Sequence, residues 1–217
     1  MAAQLSWGIL GAGAIAQKFA SDLAGRADAR LTAVAARSQA SARAFAQAFN
    51  VAHAEVGAAA LAARPDVDLV YIATPNADHL ASALACIDAG KPVLIEKPVC
   101  LNADDAAAVF GAAEAAGVFA MEAMWMRTNP LIRQAERLIA DGAIGEVRSV
   151  RAEFGLGRSY DPAHRLYDLT SGGGALLDLG VYPATFAWLF LGKPAALAVT
   201  GTLAPTGADA TVALQWS

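Results

Sequence analysis

Glu96 and Lys97 follow directly on the short apolar run Val93 to Ile95, and Pro98 follows them. A buried strand that ends in two adjacent charges has to expose them, pair them or use them, because burying either alone is costly. In open α/β sheets ligands sit beyond the carboxyl ends of the strands, which is where Lys97 falls. The alternative is a Lys–Glu surface pair that merely closes a strand. Further on, Asp178 and Tyr182 lie in the long apolar segment from Gly172 to Leu191. On a helix, residues at that spacing project from one face. They either share a polar pocket or are a capping Asp and a packed Tyr with no common task.

What gives Lys97 a context is the N-terminal stretch. Leu5 to Leu10 reads as a buried strand, Gly11-Ala-Gly-Ala-Ile-Ala16 as a glycine-rich turn, and Gln17 to Ala24 as a helix. Strand, G-x-G-x-x-A turn and helix together form a dinucleotide-binding fingerprint, where a lone turn would be weak. Gly11 permits the tight turn, Gly13 lets the backbone approach a pyrophosphate, and Ala16 keeps the helix close to the strand. The helix N-terminus offers free N–H groups to the phosphates, and Ala14 and Ile15 of the turn are assigned to the cofactor with them.

The next strand, Leu31 to Ala36, ends in Arg37-Ser38, without the acid that an NAD site uses to hold the ribose 2′-hydroxyl. Arg37 could stack on adenine and pair with a 2′-phosphate, Ser38 could donate a hydrogen bond, and Arg43 could assist. A solvated Arg at a strand end is the bland alternative. NADP is favoured, with NAD possible.

Strands and helices alternate through the first half. A helix spans Gln39 to Phe49. A short strand near His53 and a small helix lead to the strand Asp68 to Ala73. Thr74-Pro75-Asn76 forms a turn, and Asn76 or Asp78 could cap the helix that runs to Ala89. His79 is assigned a structural or solvent-facing role, since nothing nearby orients it. Val93 to Ile95, the helix Ala103 to Ala116 and the strand Val118 to Met124 complete a doubly wound parallel sheet. Beyond a helix from Pro130 to about Ala140 a long strand, Val147 to Phe154, is expected. A polar loop, 155–171, then either covers a substrate or is a surface excursion. The helix Gly172 to Leu191 and two strands, Ala196 to Leu203 and Thr211 to Trp216, end the chain. The division is a cofactor-binding domain over 1–124 and a partial second domain over 125–217.

The chain has 217 residues, enough for a substantial core, and a net charge of −4 with scattered basic residues, which argues against nucleic acid as a partner. No uncharged apolar run reaches bilayer length, and the N-terminus lacks a basic leader region, so no membrane partner and a cytoplasmic location are expected. Cys86 and Cys100 have no metal-ligand spacing, and no metal is expected.

Four motifs in order, Gly11-x-Gly-x-Ile-Ala16, Ala73-Thr-Pro-Asn76, Glu96-Lys-Pro98 and Gly173-Gly-Ala-Leu-Leu-Asp-Leu-Gly-Val-Tyr182, resemble those of the glucose-fructose oxidoreductase / inositol dehydrogenase family. Met121-Glu-Ala-Met-Trp-Met-Arg127 looks most like the subgroup of NADP-dependent D-xylose and dihydrodiol dehydrogenases. The resemblance implies a Rossmann domain followed by an α+β domain with an open, mainly antiparallel sheet. It implies hydride transfer between NADP and a sugar or cyclic diol, with Lys97, Asp178 and Tyr182 as catalytic residues. Thr74, Pro75, Asn76, His79 and Glu96 join the cofactor side, and Trp125, Phe154 and, more weakly, Arg148 the substrate side.

On that reading Tyr182 takes the hydroxyl proton. Lys97 stabilises the phenolate, and Asp178 holds the substrate or tunes Lys97. Relatives are usually longer and commonly form homo-oligomers through the second-domain sheet. The chain therefore looks C-terminally truncated, with an open sheet edge. A non-catalytic or truncation-impaired NADP-binding protein is the alternative function.

Overall fold

The computed structural model describes residues 4–217, which fall into two compact units, Met1–Ala123 and Met124–Ser217. In the first, six strands form one parallel sheet: β1 (Leu5–Leu10), β2 (Ala29–Ala36), β3 (His53–Val56), β4 (Leu69–Ile72), β5 (Val93–Ile95) and β6 (Ala120–Glu122). Their order is β3-β2-β1-β4-β5-β6, and the direction of winding reverses between β1 and β4. Five helices connect the strands: α1 (Ala14–Ala24), α2 (Gln39–Phe49), α3 (Gly57–Ala62), α4 (His79–Asp88) and α5 (Ala103–Ala116). Strands covered on both faces need continuous apolar runs, which Val70 to Ile72 and Val93 to Ile95 supply. The resulting core has two clusters, one around Leu10, Val70, Ile72, Ile87 and Ile95, the other around Ile9, Ala16, Val34, Phe45 and Tyr71.

Register sets the working edge. Leu10 lies beside Ile72, Ile72 beside Ile95, and Ile95 beside Glu122. The ladder continues one residue further, with Ala73 N–H donating to Leu10 O, Glu96 N–H to Ile72 O and Ala123 N–H to Ile95 O. Gly11, Thr74 and Lys97 are thus delivered in a row at the carboxyl ends of β1, β4 and β5, the edge at which open α/β sheets bind ligands.

The second unit holds α6 (Pro130–Ala140), α7 (Val181–Leu191) and a two-stranded antiparallel sheet of β7 (Leu197–Leu203) and β8 (Asp209–Trp216). Asn129 starts α6 by accepting from Leu131 N–H and Ile132 N–H. Two expectations are corrected here. The stretch 147–154 is not a strand. A strand needs a paired ladder, and among the described residues β7 and β8 pair only with each other. The Gly172–Leu191 segment is also not one regular helix, since Leu176–Gly180 is a π-helical turn that leads into α7.

In the first unit, α1 begins at Ala14 and not at Gln17, so the helix opens inside the glycine turn. By length and composition alone, the helical stretch Leu169–Leu191 is long and apolar enough to cross a membrane. It contains Asp178, whose carboxylate is 3.3 Å from the Arg165 guanidinium.

Candidate functional site

At the edge of the first unit, Gly11 has φ +114°, and a Cβ on it would lie 2.4 Å from the Ala73 carbonyl oxygen. Both facts demand glycine. A Cβ on Gly13 would instead meet nothing within 4 Å, so the space above it is open. Gly13 caps α1 without any side-chain bond, and the first turn of α1 carries no acid. That leaves a helix N-terminus suited to an anion. The Thr74 hydroxyl, beside Gly11, is buried without a protein partner, a polar group that a ligand in this crevice can satisfy. Open backbone, an uncapped helix start and a waiting hydroxyl fit a dinucleotide.

Arg37 and Ser38 follow the end of β2 and are exposed. Ser38 accepts from Ser41 N–H at 3.2 Å and donates to the Ser41 hydroxyl at 3.0 Å. It caps α2 and must give up Ser41 to donate elsewhere, so Arg37 is the stronger candidate for a 2′-phosphate.

The Glu96-Lys97-Pro98 turn is held from several sides. Tyr71 donates to Glu96 Oε1 at 2.6 Å, and Lys97 N–H donates to Glu96 Oε2 at 3.1 Å. Burial, together with the bond to Glu96, pushes the Tyr71 hydroxyl well above its ordinary range. Glu122 on β6 accepts from Val99 N–H at 2.9 Å, and the Lys97–Pro98 peptide is cis. The Glu96 carboxylate therefore positions Lys97, and the lysine is half-buried. A free surface pair does not describe this turn.

His79 is fully buried, which takes the structural of its two expected roles and corrects only the reading that nothing nearby orients it. Its Nδ1 is 2.8 Å from Pro98 O and its Nε2 is 3.1 Å from Thr74 O. The ring thus ties the Thr74–Asn76 turn to the Glu96–Pro98 turn. Carbonyls only accept, so a ring with a single N–H makes one of these bonds at a time. Asp78, expected as a possible cap, makes no side-chain bond to the start of α4.

In the second unit, an open hollow of about 300 Å³ is lined by Trp125, Met126, Ala152, Glu153, Phe154, Tyr182, Pro183 and Phe186. The Tyr182 ring centroid is 5.5 Å from that of Phe154 and 6.1 Å from that of Trp125. The structure thus brings Trp125, Phe154 and Tyr182 together. Arg148 is not among the lining residues and instead pairs with Glu146 at 3.0 Å on the surface.

Asp178 is paired with Arg165 from the 155–171 loop, which gives that loop a contact to the candidate site. Asp168 in the same loop accepts from the Ser171 and Thr170 hydroxyls and from Thr170 N–H. These bonds hold its carboxyl below the usual carboxylate range. Its carbonyl accepts from Gly173 N–H at 2.9 Å. Tyr71, Glu122, Arg165 and Asp168 were not singled out from sequence. Each acts across a gap in the chain or inside a loop, and no local pattern marks it. Among the described residues no cluster of His, Cys, Asp or Glu is placed to hold a metal.

Known proteins agree with this architecture. Residues 5–124 match the oxidoreductase family with an NAD-binding Rossmann fold, and residues 132–217 match the GFO/IDH/MocA C-terminal domain. Trans-1,2-dihydrobenzene-1,2-diol dehydrogenase from Mus musculus is 39% identical over 214 residues, which cover 97% of this chain and 64% of the mouse protein. The Homo sapiens protein of the same name is 37% identical over 212 residues, covering 96% of this chain and 63% of its own. The chain therefore spans a little under two thirds of these relatives.

Among solved structures, KijD10, a 3-ketoreductase from Actinomadura kijaniata in complex with NADP and TDP-benzene, matches with a TM-score of 0.81 and 35% identity. That match covers 91% of this chain and 60% of that one. A putative myo-inositol dehydrogenase from Sinorhizobium meliloti matches with a TM-score of 0.80 and 28% identity, covering 97% and 64%. With an NAD(P)-binding Rossmann unit and both sequence regions of the family present, the chain belongs to the GFO/IDH/MocA oxidoreductase family.

Proposed function

We propose that the protein is an NADP-dependent dehydrogenase acting on the hydroxyl or carbonyl carbon of a sugar or a cyclic diol. The observation that carries this reading is the Tyr182 phenol set among Trp125 and Phe154 in an open hollow. Aromatic faces pack well on the C–H surface of a sugar or diol ring. A phenol among them is placed to exchange a proton with the ring's hydroxyl. NADP, when bound, supplies the hydride acceptor.

Tyr182 serves as the proton acceptor. Its reaction needs a cation to stabilise the phenolate, and Lys97 is the residue proposed for that task. Asp178, kept in place by Arg165, orients the substrate hydroxyl. Arg37 selects NADP by pairing with the 2′-phosphate, supported by the lack of any acid from Ala35 to Ser38. The dihydrodiol dehydrogenases and the NADP-bound ketoreductase among the similar proteins support the same chemistry.

The test is reduction of NADP⁺ and NAD⁺ by the purified protein across aldoses, including D-xylose, and trans-dihydrodiols. Turnover with at least one of these classes and a preference for NADP⁺, lost in Arg37→Ala, is expected. A preference for NAD⁺ removes the role given to Arg37. NADPH binding without turnover on any substrate favours a non-catalytic binding protein.

A further inference from the structure

The helix that carries Asp178 and Tyr182 starts without a cap of its own. Gly172, Gly173 and Gly174 precede it, and none of them has a side chain to accept from the first N–H groups. The π-helical turn Leu176–Gly180 has no side-chain cap from its flanking residue Ala175. The acceptor comes instead from 33 residues away, where Asp209 Oδ2 receives Leu176 N–H at 2.6 Å.

The approach is close on its other side as well. A Cβ on Gly174 would lie 2.0 Å from Asp209 Oδ1, and Gly174 has φ +128°. Glycine at 174 thus both permits the turn and leaves room for the carboxylate. Asp209 is the first residue of β8, and the preceding Ala208 is fully buried, so the carboxylate is presented from a fixed backbone. A negative group at a helix start is favourable both as a hydrogen-bond acceptor and through the helix dipole.

We infer that Asp209 is a positioning residue that anchors the start of the Asp178–Tyr182 helix to the β7–β8 hairpin and so fixes where Tyr182 presents its hydroxyl. The inference rests on the role proposed for Tyr182. Displacements of about 1 Å at a reacting group can cost on the order of 10²-fold in rate. Asparagine at 209 keeps an acceptor oxygen and loses only the charge, whereas alanine loses both.

The experiment compares Asp209→Ala and Asp209→Asn in the full 217-residue chain. It reads amide hydrogen exchange across 174–182, kcat and KM with NADP⁺ and the best substrate of the panel, and NADPH affinity. Asp209→Ala should raise exchange at Leu176 and its neighbours and lower kcat roughly 10- to 100-fold, with the KM for NADP⁺ and the NADPH affinity unchanged. Asp209→Asn should recover most of the exchange protection and most of kcat.

Unchanged exchange in Asp209→Ala overturns the inference. So does a rise spread over all of 124–217, which would mark a general fold contribution, or a local rise with kcat unaltered. If the wild-type protein turns over nothing, the proposed function fails, and exchange alone decides whether Asp209 holds the helix.

Discussion

In Met1–Ala123 the candidate residues are carried on backbone packed inside a six-stranded sheet. In Met124–Ser217 Asp178 and Tyr182 are carried on a helix, α7 with the turn before it, in which no residue is buried. Among the described residues both clusters of buried apolar side chains belong to the first unit. In the second, Trp188 is 49% exposed and Leu203 is 72% exposed. The first unit therefore holds its groups first by shape, with Gly11 against Ala73 and strand ends in register, and adds polar bonds from Tyr71, His79 and Glu122 inside that packing. The second holds them by polar bonds across chain gaps, from Arg165 to Asp178, Asp168 to Gly173 and Asp209 to Leu176. Shape is hard to perturb without unfolding the unit. A polar bond can be removed singly, and its loss should show first in function.

The largest effect should come from testing shape at its tightest point. Gly11→Ala brings a Cβ to 2.4 Å from Ala73 O at φ +114°. Strain and overpacking of roughly 1–3 kcal/mol each are expected, and thermal unfolding of the first unit should fall sharply with loss of NADPH binding. Gly13→Ala, in open space, should leave the melting temperature nearly unchanged and still weaken NADPH at least about tenfold, a ~1.4 kcal/mol loss. Equal stability losses in the two variants would break the distinction between a packed and an open glycine.

Next in size is His79→Leu. It removes the ring between Thr74 O and Pro98 O, and the carbonyl that held its single N–H is left unpaired, at about 1–3 kcal/mol. Chemical denaturation should show the destabilisation. A variant as stable as wild type would mean that the two turns are held without the ring.

How much of this was legible in the sequence follows the same division. Apolar periodicity and the glycine turn announced the first unit's strands, and the motif spacing located Gly11, Gly13 and Lys97. Backbone shape is a local property, so local sequence carries it. The partners of His79 escaped because its two carbonyls are brought to it only by the fold. In the second unit the pattern at 147–154 promised a strand, but strand pairing is non-local and no partner is present among the described residues. Tyr182 was marked by its spacing from Asp178, whereas Trp125 and Phe154 were visible only through family resemblance. Asp209 gave no signal, because a cap supplied from 33 residues away leaves nothing beside the helix to read.

A smaller effect tests the polar clamps by pH. The hydroxyls of Ser171 and Thr170 favour the charged form of Asp168, so its folded pKa is depressed. Its contribution is therefore present above the ordinary carboxylate value of ~3.9 and is lost as pH falls through the lower, folded one. A carboxyl-carbon NMR titration should place the Asp168 midpoint below ~3.9, moving up in a Ser171→Ala, Thr170→Ala double variant. A wild-type midpoint at or above the ordinary value would mean that the clamp is not formed in solution.

The most direct test of the account is Tyr182→Phe, which removes one oxygen from the aromatic hollow and leaves the first unit untouched. The measurement is kcat/KM for the best sugar or diol substrate, with NADPH affinity taken on the same protein. The account predicts a fall of about 10²–10⁴-fold in kcat/KM, with NADPH bound as tightly as by wild type. Turnover within a factor of a few of wild type would contradict it.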